Sequence, residues 1–197
     1  TINVSNVALP AITGGLKIDG TSQTSNECPP GVEIEGSSIV LMSGAHGLNI
    51  QASDCLIKGL VINRFPLSGI HLGNPFGRNH IVGCYIGTDT NGTAALPNGW
   101  HGIWITNSPN NMIGNTPLTN CALRNVISGN RKCGVYIEGS GAIYNMLQNN
   151  YIGVDVTGFD AVPNAGHGVV VTEAANQNNV GSTAAPKPVN VISANGT

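Results

Sequence analysis

The sequence predicts an all-β chain wound as a right-handed parallel β-helix, a solenoid of stacked coils of about 22 residues each. Three observations predict it. A short motif, Gly-aliphatic-x-aliphatic, returns at nearly constant spacing. The pieces that carry it are too short to be helices. The composition is poor in charge and rich in glycine, as closely spaced turns require.

The motif comes first. Gly69-Ile-His-Leu, Gly102-Ile-Trp-Ile, Gly134-Val-Tyr-Ile and Gly168-Val-Val-Val share one form, at separations of 33, 32 and 34 residues. Gly47-Leu-Asn-Ile precedes them by 22. A longer period overlies this one: Cys84-Tyr-Ile-Gly returns as Asn150-Tyr-Ile-Gly, and Asn125-Val-Ile-Ser as Asn190-Val-Ile-Ser. Consecutive coils therefore alternate between two types. Each coil holds three strand-like pieces, as in 69–72, 80–83 and 85–87. Four residues cannot make a helix, which needs about 8, and Gly, Asn and Pro punctuate the pieces as turns do. The shortest coil is 47–68. Longer coils carry insertions of roughly ten residues, one type at 88–101 and 154–167, the other at 115–124 and 182–189, expected to bulge outward as surface loops.

Strand alternation then assigns faces. In Gly-Ile-x-Ile both Ile residues point one way and x the other. Stacking should lay Ile103 and Ile105 over Val135 and Ile137, and several coils together make an apolar interior that one cannot. Asn63, Asn125 and Asn190 recur near bends, where stacked amides can hydrogen-bond from coil to coil.

Composition limits function. Charged residues are 9% of the chain, against about 25% in ordinary domains. Apolar residues reach 41% in regular runs, which is not a disordered composition. The net charge is −2 with only 8 Lys and Arg, so no nucleic-acid partner is expected. No apolar run approaches the ~18 residues of a membrane span. A chain that begins at Thr1 without a signal peptide reads as a processed product or a piece of something longer. Residues 1–197 read as a single domain.

Five cysteines occur, with no Cys-x-x-Cys pair, so zinc has little support. Cys121 and Cys133, either side of one turn, are the candidate disulfide. Sequons at Asn3, Asn91 and Asn195 are candidate glycosylation sites if the chain is secreted. No cofactor is expected.

The segments Tyr85–Asn98, Asn125–Asn130, Ala8-Leu-Pro-Ala-Ile-Thr and Ile18-Asp-Gly-Thr-Ser-Gln resemble the parallel β-helix repeats of large secreted and cell-surface, adhesin-like proteins. The resemblance covers nearly the whole chain. It implies an extracellular or cell-surface location, attachment to other modules, and no established cofactor. The cysteines exceed those of bacterial versions and favour a eukaryotic secreted protein.

Pectate lyases and polygalacturonases share this fold, so their chemistry was sought directly. Gly166-His167-Gly168 matches a polygalacturonase element. However, His-Gly also occurs at His46 and His101, always just before a coil's first strand, which makes it a repeat position. The Asp-Asp pair and the Arg-x-Lys of those enzymes are absent. Asp89 and Asp155 occupy equivalent positions two coils apart, roughly 10 Å by stacking, near the inverting-glycosidase range. As Asp residues of a repeated turn, they are read first as backbone acceptors. The oxygen-rich loop 89–98 offers only one Asp to a calcium ion, and Arg64, Arg78, Arg124 and Arg131 share no acid cluster.

One surface feature remains. The outward residues of the first strand are Asn49, His71, Trp104, Tyr136 and Val170, with Trp100 just before. His71, Trp104, Tyr136 and Trp100 are the candidate binding ladder. Three readings stay open: a packing ladder or loop cover, a protein partner, or a glycan stacked on the rings. The first functional expectation is a non-catalytic structural or adhesive module, a subunit of a surface layer or filament. A polysaccharide-active enzyme or a glycan-binding module is the alternative. Because 190–197 leads into no further coil, the partners expected at the ends are more of the same chain or copies of it.

Overall fold

A computed structural model describes residues 1–23, 29–39, 44–73, 75–114, 123–181 and 189–197. The chain winds through three parallel sheets, giving one strand to each per coil. Coil one holds β1 (Ile2–Ser5) and β2 (Lys17–Asp19), with Ile12 bridging to Ile50 between them. Then follow β3 (Val32–Ser38), β4 (Leu48–Ile50) and β5 (Leu56–Lys58); β6 (Leu60–Asn63), β7 (Ile70–Leu72) and β8 (His80–Val82). Next come β9 (Tyr85–Ile86), β10 (Ile103–Thr106) and β11 (Met112–Gly114); β12 (Asn125–Ile127), β13 (Val135–Glu138) and β14 (Met146–Gln148). The last are β15 (Asn150–Ile152), β16 (Val169–Thr172), β17 (Asn179–Val180) and β18 (Val191–Ile192). The sheets run β1-β3-β6-β9-β12-β15-β18, β4-β7-β10-β13-β16 and β2-β5-β8-β11-β14-β17. The parallel β-helix expected from the sequence is what forms.

Register follows the sequence pattern. Ile103 pairs Val135 and Ile70, and Ile105 pairs Ile137 and Leu72. All six are fully buried. On the first sheet one isoleucine per coil stacks inward: Ile34, Ile62, Ile86, Ile127, Ile152 and Ile192. In the last coil of the described residues Val171, Val180 and Ile192 are exposed.

Measured on that isoleucine column, the coil from Ile86 to Ile127 takes 41 residues and the one from Ile152 to Ile192 takes 40, while those from Ile62 to Ile86 and from Ile127 to Ile152 take 24 and 25. Both insertion types thus fall in the same coil, and plain coils alternate with doubly inserted ones.

At each corner the chain turns away from its strand, and core carbonyls take a second donor beside the backbone N–H of the next coil, which Gly87, Ser128 and Ser193 give to Ile62, Ile86 and Ile152. Asparagine supplies that second donor. Between the first and second sheets, Asn98 Nδ2 donates to Asn130 Oδ1 (3.0 Å), Asn130 Nδ2 to Asn164 Oδ1 (2.9 Å) and Asn164 Nδ2 to Asn195 Oδ1 (2.8 Å). The same four amides also donate to the carbonyls of Ile62, Ile86, Ile127 and Ile152. Between the second and third sheets Asn111 donates to Asn145 and Asn145 to Asn178. Between the third and first, Asn125 donates to Asn150 and Asn150 to Asn190. The amide stacking expected at Asn125 and Asn190 is therefore present. Asn63 is a different case: it ends β6 rather than preceding a strand, and its Nδ2 donates to Glu33 Oε1 and the Thr88 carbonyl.

Cysteine fits the same scheme. Cys55 and Cys84 stand one coil before the first asparagine of a ladder, and their backbone N–H groups donate to Asn79 Oδ1 and Asn125 Oδ1. Both are buried free thiols, as is Cys133. Its expected partner Cys121 lies outside the described residues.

The first insertion type does not bulge. Residues 88–101 and 154–167 fold back over the outer face of the first sheet, each closed by an antiparallel bridge, Thr88 to Ala95 and Val154 to Ala161. They stack on each other through Val156 N–H to the Gly92 carbonyl (3.0 Å). Beneath them Val61, Tyr85 and Val126 are buried although they point outward from the solenoid. A Cβ at Gly92 would lie 2.9 Å from the Tyr85 ring, and one at Gly158 2.8 Å from Tyr151, so both glycines are fixed by this close approach. Most of the second type, 115–122 and 182–188, lies outside the described residues.

Two substitutions test this frame. Ile105→Asp places a lone carboxylate where exposure is 0%; a loss of about 4 kcal/mol or more is expected, read by chemical denaturation, and wild-type stability would refute the register. Asn130→Asp keeps the shape but replaces the donor with an acceptor that faces the Ile86 carbonyl and Asn164 Oδ1. A deficit of about 3 kcal/mol is expected at pH 7. Burial without donors raises the new carboxyl, so the deficit should shrink as pH falls and the group takes a proton. A deficit that is constant between pH 7 and pH 4 would contradict the ladder.

Candidate functional site

The second sheet presents its outward side chains in a column. Asn49 pairs His71, His71 pairs Trp104, Trp104 pairs Tyr136 and Tyr136 pairs Val170. Alternation puts each on the face opposite the buried aliphatics, and each is half-buried. All four residues of the expected ladder, His71, Trp100, Trp104 and Tyr136, are brought together here.

Two more rings join them. His46 stacks on His71 at 4.8 Å, and His71 on Trp104 at 4.5 Å. Trp100 lies tilted against Trp104 at 5.0 Å and stacked on His101 at 5.3 Å, and His101 stacks on Tyr136 at 4.5 Å. Sequence reasoning saw His46 and His101 only as repeat positions. They precede the glycine that opens the strand, and that position borders the same outer face. Glu138 was missed too, although extending the alternation two residues past Tyr136 finds it. Its Oε1 accepts the Trp104 indole N–H at 2.9 Å.

Trp104 and Tyr136, each held by its own stack, line a cavity of about 340 Å³ together with Trp100, His101, Lys132, Cys133 and Glu138. A second cavity, about 520 Å³, lies at the neighbouring corner, lined by Arg64, Phe65, Pro66, Pro97, Gly99 and Arg131 among others. Arg64 there is paired with the buried Glu33 and Glu35, each at 3.3 Å.

The histidines are neutral spacers. Burial holds His46, His71 and His101 to about 4; the neighbouring His71 adds to the effect at His46, and Lys132 at His101. Their hydrogen bonds agree. His71 Nδ1 faces Asn49 Oδ1 and its Nε2 faces the Thr106 hydroxyl, which suits one N–H and one acceptor. His101 Nδ1 accepts the Cys133 backbone N–H at 3.2 Å.

The acids sought for catalysis hold turns. Asp89 Oδ1 accepts the N–H groups of Thr93 and Ala94. Asp155 Oδ1 accepts four, from Thr157, Gly158, Phe159 and Asp160, and a hydroxyl from Thr157. Burial alone would raise the Asp155 carboxyl, but these donors outweigh it and hold it below the ordinary range. A carboxyl so held is not a general acid at neutral pH. His167 is exposed on the outer surface. Among the described residues no group of three or more His, Cys, Asp or Glu could hold a metal ion. Asn3 and Asn91 are exposed, but Asn195 Nδ2 donates to the Ile152 and Ser193 carbonyls, so a glycan there would have to displace the ladder.

Fold and surface together define a parallel β-solenoid with a ring-lined outer face. No family model matches the chain, and no curated protein or solved structure matches it either.

The histidines set a pH window. The unfolded chain takes up protons below about 6.5, whereas the folded imidazoles resist until about 4. Stability should therefore be fully present above 6.5 and fall as pH drops from 6.5 to 4. Thermal melts across that range should show the fall, and His71→Asn should make it shallower. An unchanged slope would mean that His71 is not buried as a neutral ring.

Proposed function

We propose that the chain is a non-catalytic structural and adhesive module of an extracellular or cell-surface β-solenoid. The observation that carries this reading is the use made of the repeated polar residues. Asn98, Asn130, Asn164 and Asn195 hold one corner in register, and the repeated Asp89 and Asp155 close their own turns. The repeated amides thus lock coils together, and the repeated acids shape the loops between them. What this arrangement offers its surroundings is a stiff lateral face on which side chains keep fixed spacing. The module would stack on further coils, of the same chain or of another copy, and the exposed Val171, Val180 and Ile192 are the surface such stacking would cover. The resemblance to adhesin-like repeats supports the same placement outside the cell. The enzymatic alternative loses its carboxylate pair to the turns.

The purified protein should leave pectin, alginate and other acidic polysaccharides uncut, as read by reducing-end release and by unsaturated-product absorbance. Cleavage that disappears in Asp89→Asn or His167→Ala would overturn the proposal.

A further inference from the structure

Both tryptophans of the chain line one cavity, and the groups around them are not those of a packed core. Trp104 and Tyr136 sit directly opposite each other on adjacent strands. Trp104 leans on His71 and Tyr136 on His101, Trp100 joins the two stacks, and the cavity opens beside them. One wall is an indole whose N–H is already fixed by Glu138; the other is a phenol with a polar end. At the rim, Glu138 accepts and Lys132 donates. The outward neighbours along the face, Asn49 and Thr106, are polar as well.

We propose that this cavity is a binding subsite for a neutral hexopyranose unit of a glycan, held without being cleaved. A pyranose ring has an apolar C–H face and an edge of hydroxyls that both donate and accept. It therefore needs an aromatic wall together with mixed hydrogen-bonding groups, which is the combination found here. Neutrality follows from Glu138. A uronate carboxylate in the cavity would meet that charge at close range in a partly dehydrated site, and with one Lys and one Glu in the lining there is no net attraction for an acid. A protein partner would ask for an apolar patch around the rings; the polar neighbours argue for a hydroxyl-rich ligand. The column from Asn49 to Val170 spans about 19 Å at the usual strand spacing, so a chain lying along the axis meets a ring at successive coils. This inference goes beyond the structural reading and does not depend on it.

The test uses the indoles themselves. Since the only two tryptophans line the site, emission from the intact protein reports on it alone. The probes are β-1,4-linked hexamers of glucose, mannose and N-acetylglucosamine, with galacturonate hexamer as the acidic counterpart. At least one neutral hexamer should change the emission saturably with a Kd below about 1 mM, and galacturonate should not. Tyr136→Ala should weaken binding at least tenfold, with circular dichroism showing that the coils persist. Glu138→Gln keeps an oxygen for the Trp104 N–H, so the fold should survive. It should raise the ratio of galacturonate to neutral-hexamer affinity at least tenfold, a change in preference that loss of packing would not produce. The proposal is overturned by no saturable change with any neutral hexamer at 10 mM, by tighter binding of galacturonate to the wild type, or by concentration-dependent quenching without sugar, which marks a protein contact. Product analysis of the same mixtures separates the two readings. Binding with cleavage would sink the structural reading and leave the site; no binding would sink the site and leave the structural reading.

Discussion

Everything in this molecule depends on coils lying in register at the strand spacing, and the corners decide whether they can. A strand satisfies its own backbone through its neighbours above and below. At a corner the chain bends, and the carbonyls of Ile62, Ile86 and Ile152 each take an asparagine amide hydrogen beside the backbone N–H of the next coil. Asparagine answers this with one short side chain that accepts from one coil and donates to the next. Aspartate could not donate, and glutamine is a methylene too long for so tight a bend. The low charge of the sequence has the same origin. Interior corners with exposure near zero admit amides but not ions.

Once register is fixed, surface columns follow without further design. A residue type that recurs on the outward face becomes a row, whether or not the row has a use. Trp104, His71 and Tyr136 meet because Gly-aliphatic-x-aliphatic places x identically in each coil. Both tryptophans of a chain that is only 5% aromatic stand at this one face, which makes their meeting informative.

The inward isoleucines, the outward rings and the parallel stacking were legible because they depend on period and alternation alone. The corner chemistry was legible only in part. Asn125 and Asn190 belong to one ladder, yet Asn63, in a similar Val-Ile-Asn string, lies on the far side of its isoleucine and serves Glu33 instead. A shift of three residues, from two before the isoleucine to one after it, changes the corner. The insertions were misjudged for a related reason. Tyr85 and Tyr151 point outward, and nothing local to Gly92 or Gly158 says that the loop returns to cover them. Such a return is a tertiary contact between coils, invisible to pattern within one. Glu138 shows the remaining gap: its position was legible, but its bond to Trp104 crosses diagonally between strands.

The amide ladders have a direction. From Asn98, Asn111 and Asn125 onward the bond between side chains runs from each Nδ2 to the Oδ1 of the coil that follows, and all three corners agree. Toward the N-terminus the ladders begin at Phe65, Cys55 and Cys84, which contribute only a backbone N–H and demand no side-chain acceptor. The solenoid is therefore not one repeat copied at will. A pair of coils duplicated from its C-terminal part would carry matching oxygens at every corner and extend all three chains of dipoles unbroken. A coil copied from the N-terminal third into the same place would sever them, leaving amide hydrogens facing sulfur or phenyl. Growth by internal duplication is thus permitted in one region of the gene and resisted in the other, and the permitted unit is the plain coil together with its inserted neighbour.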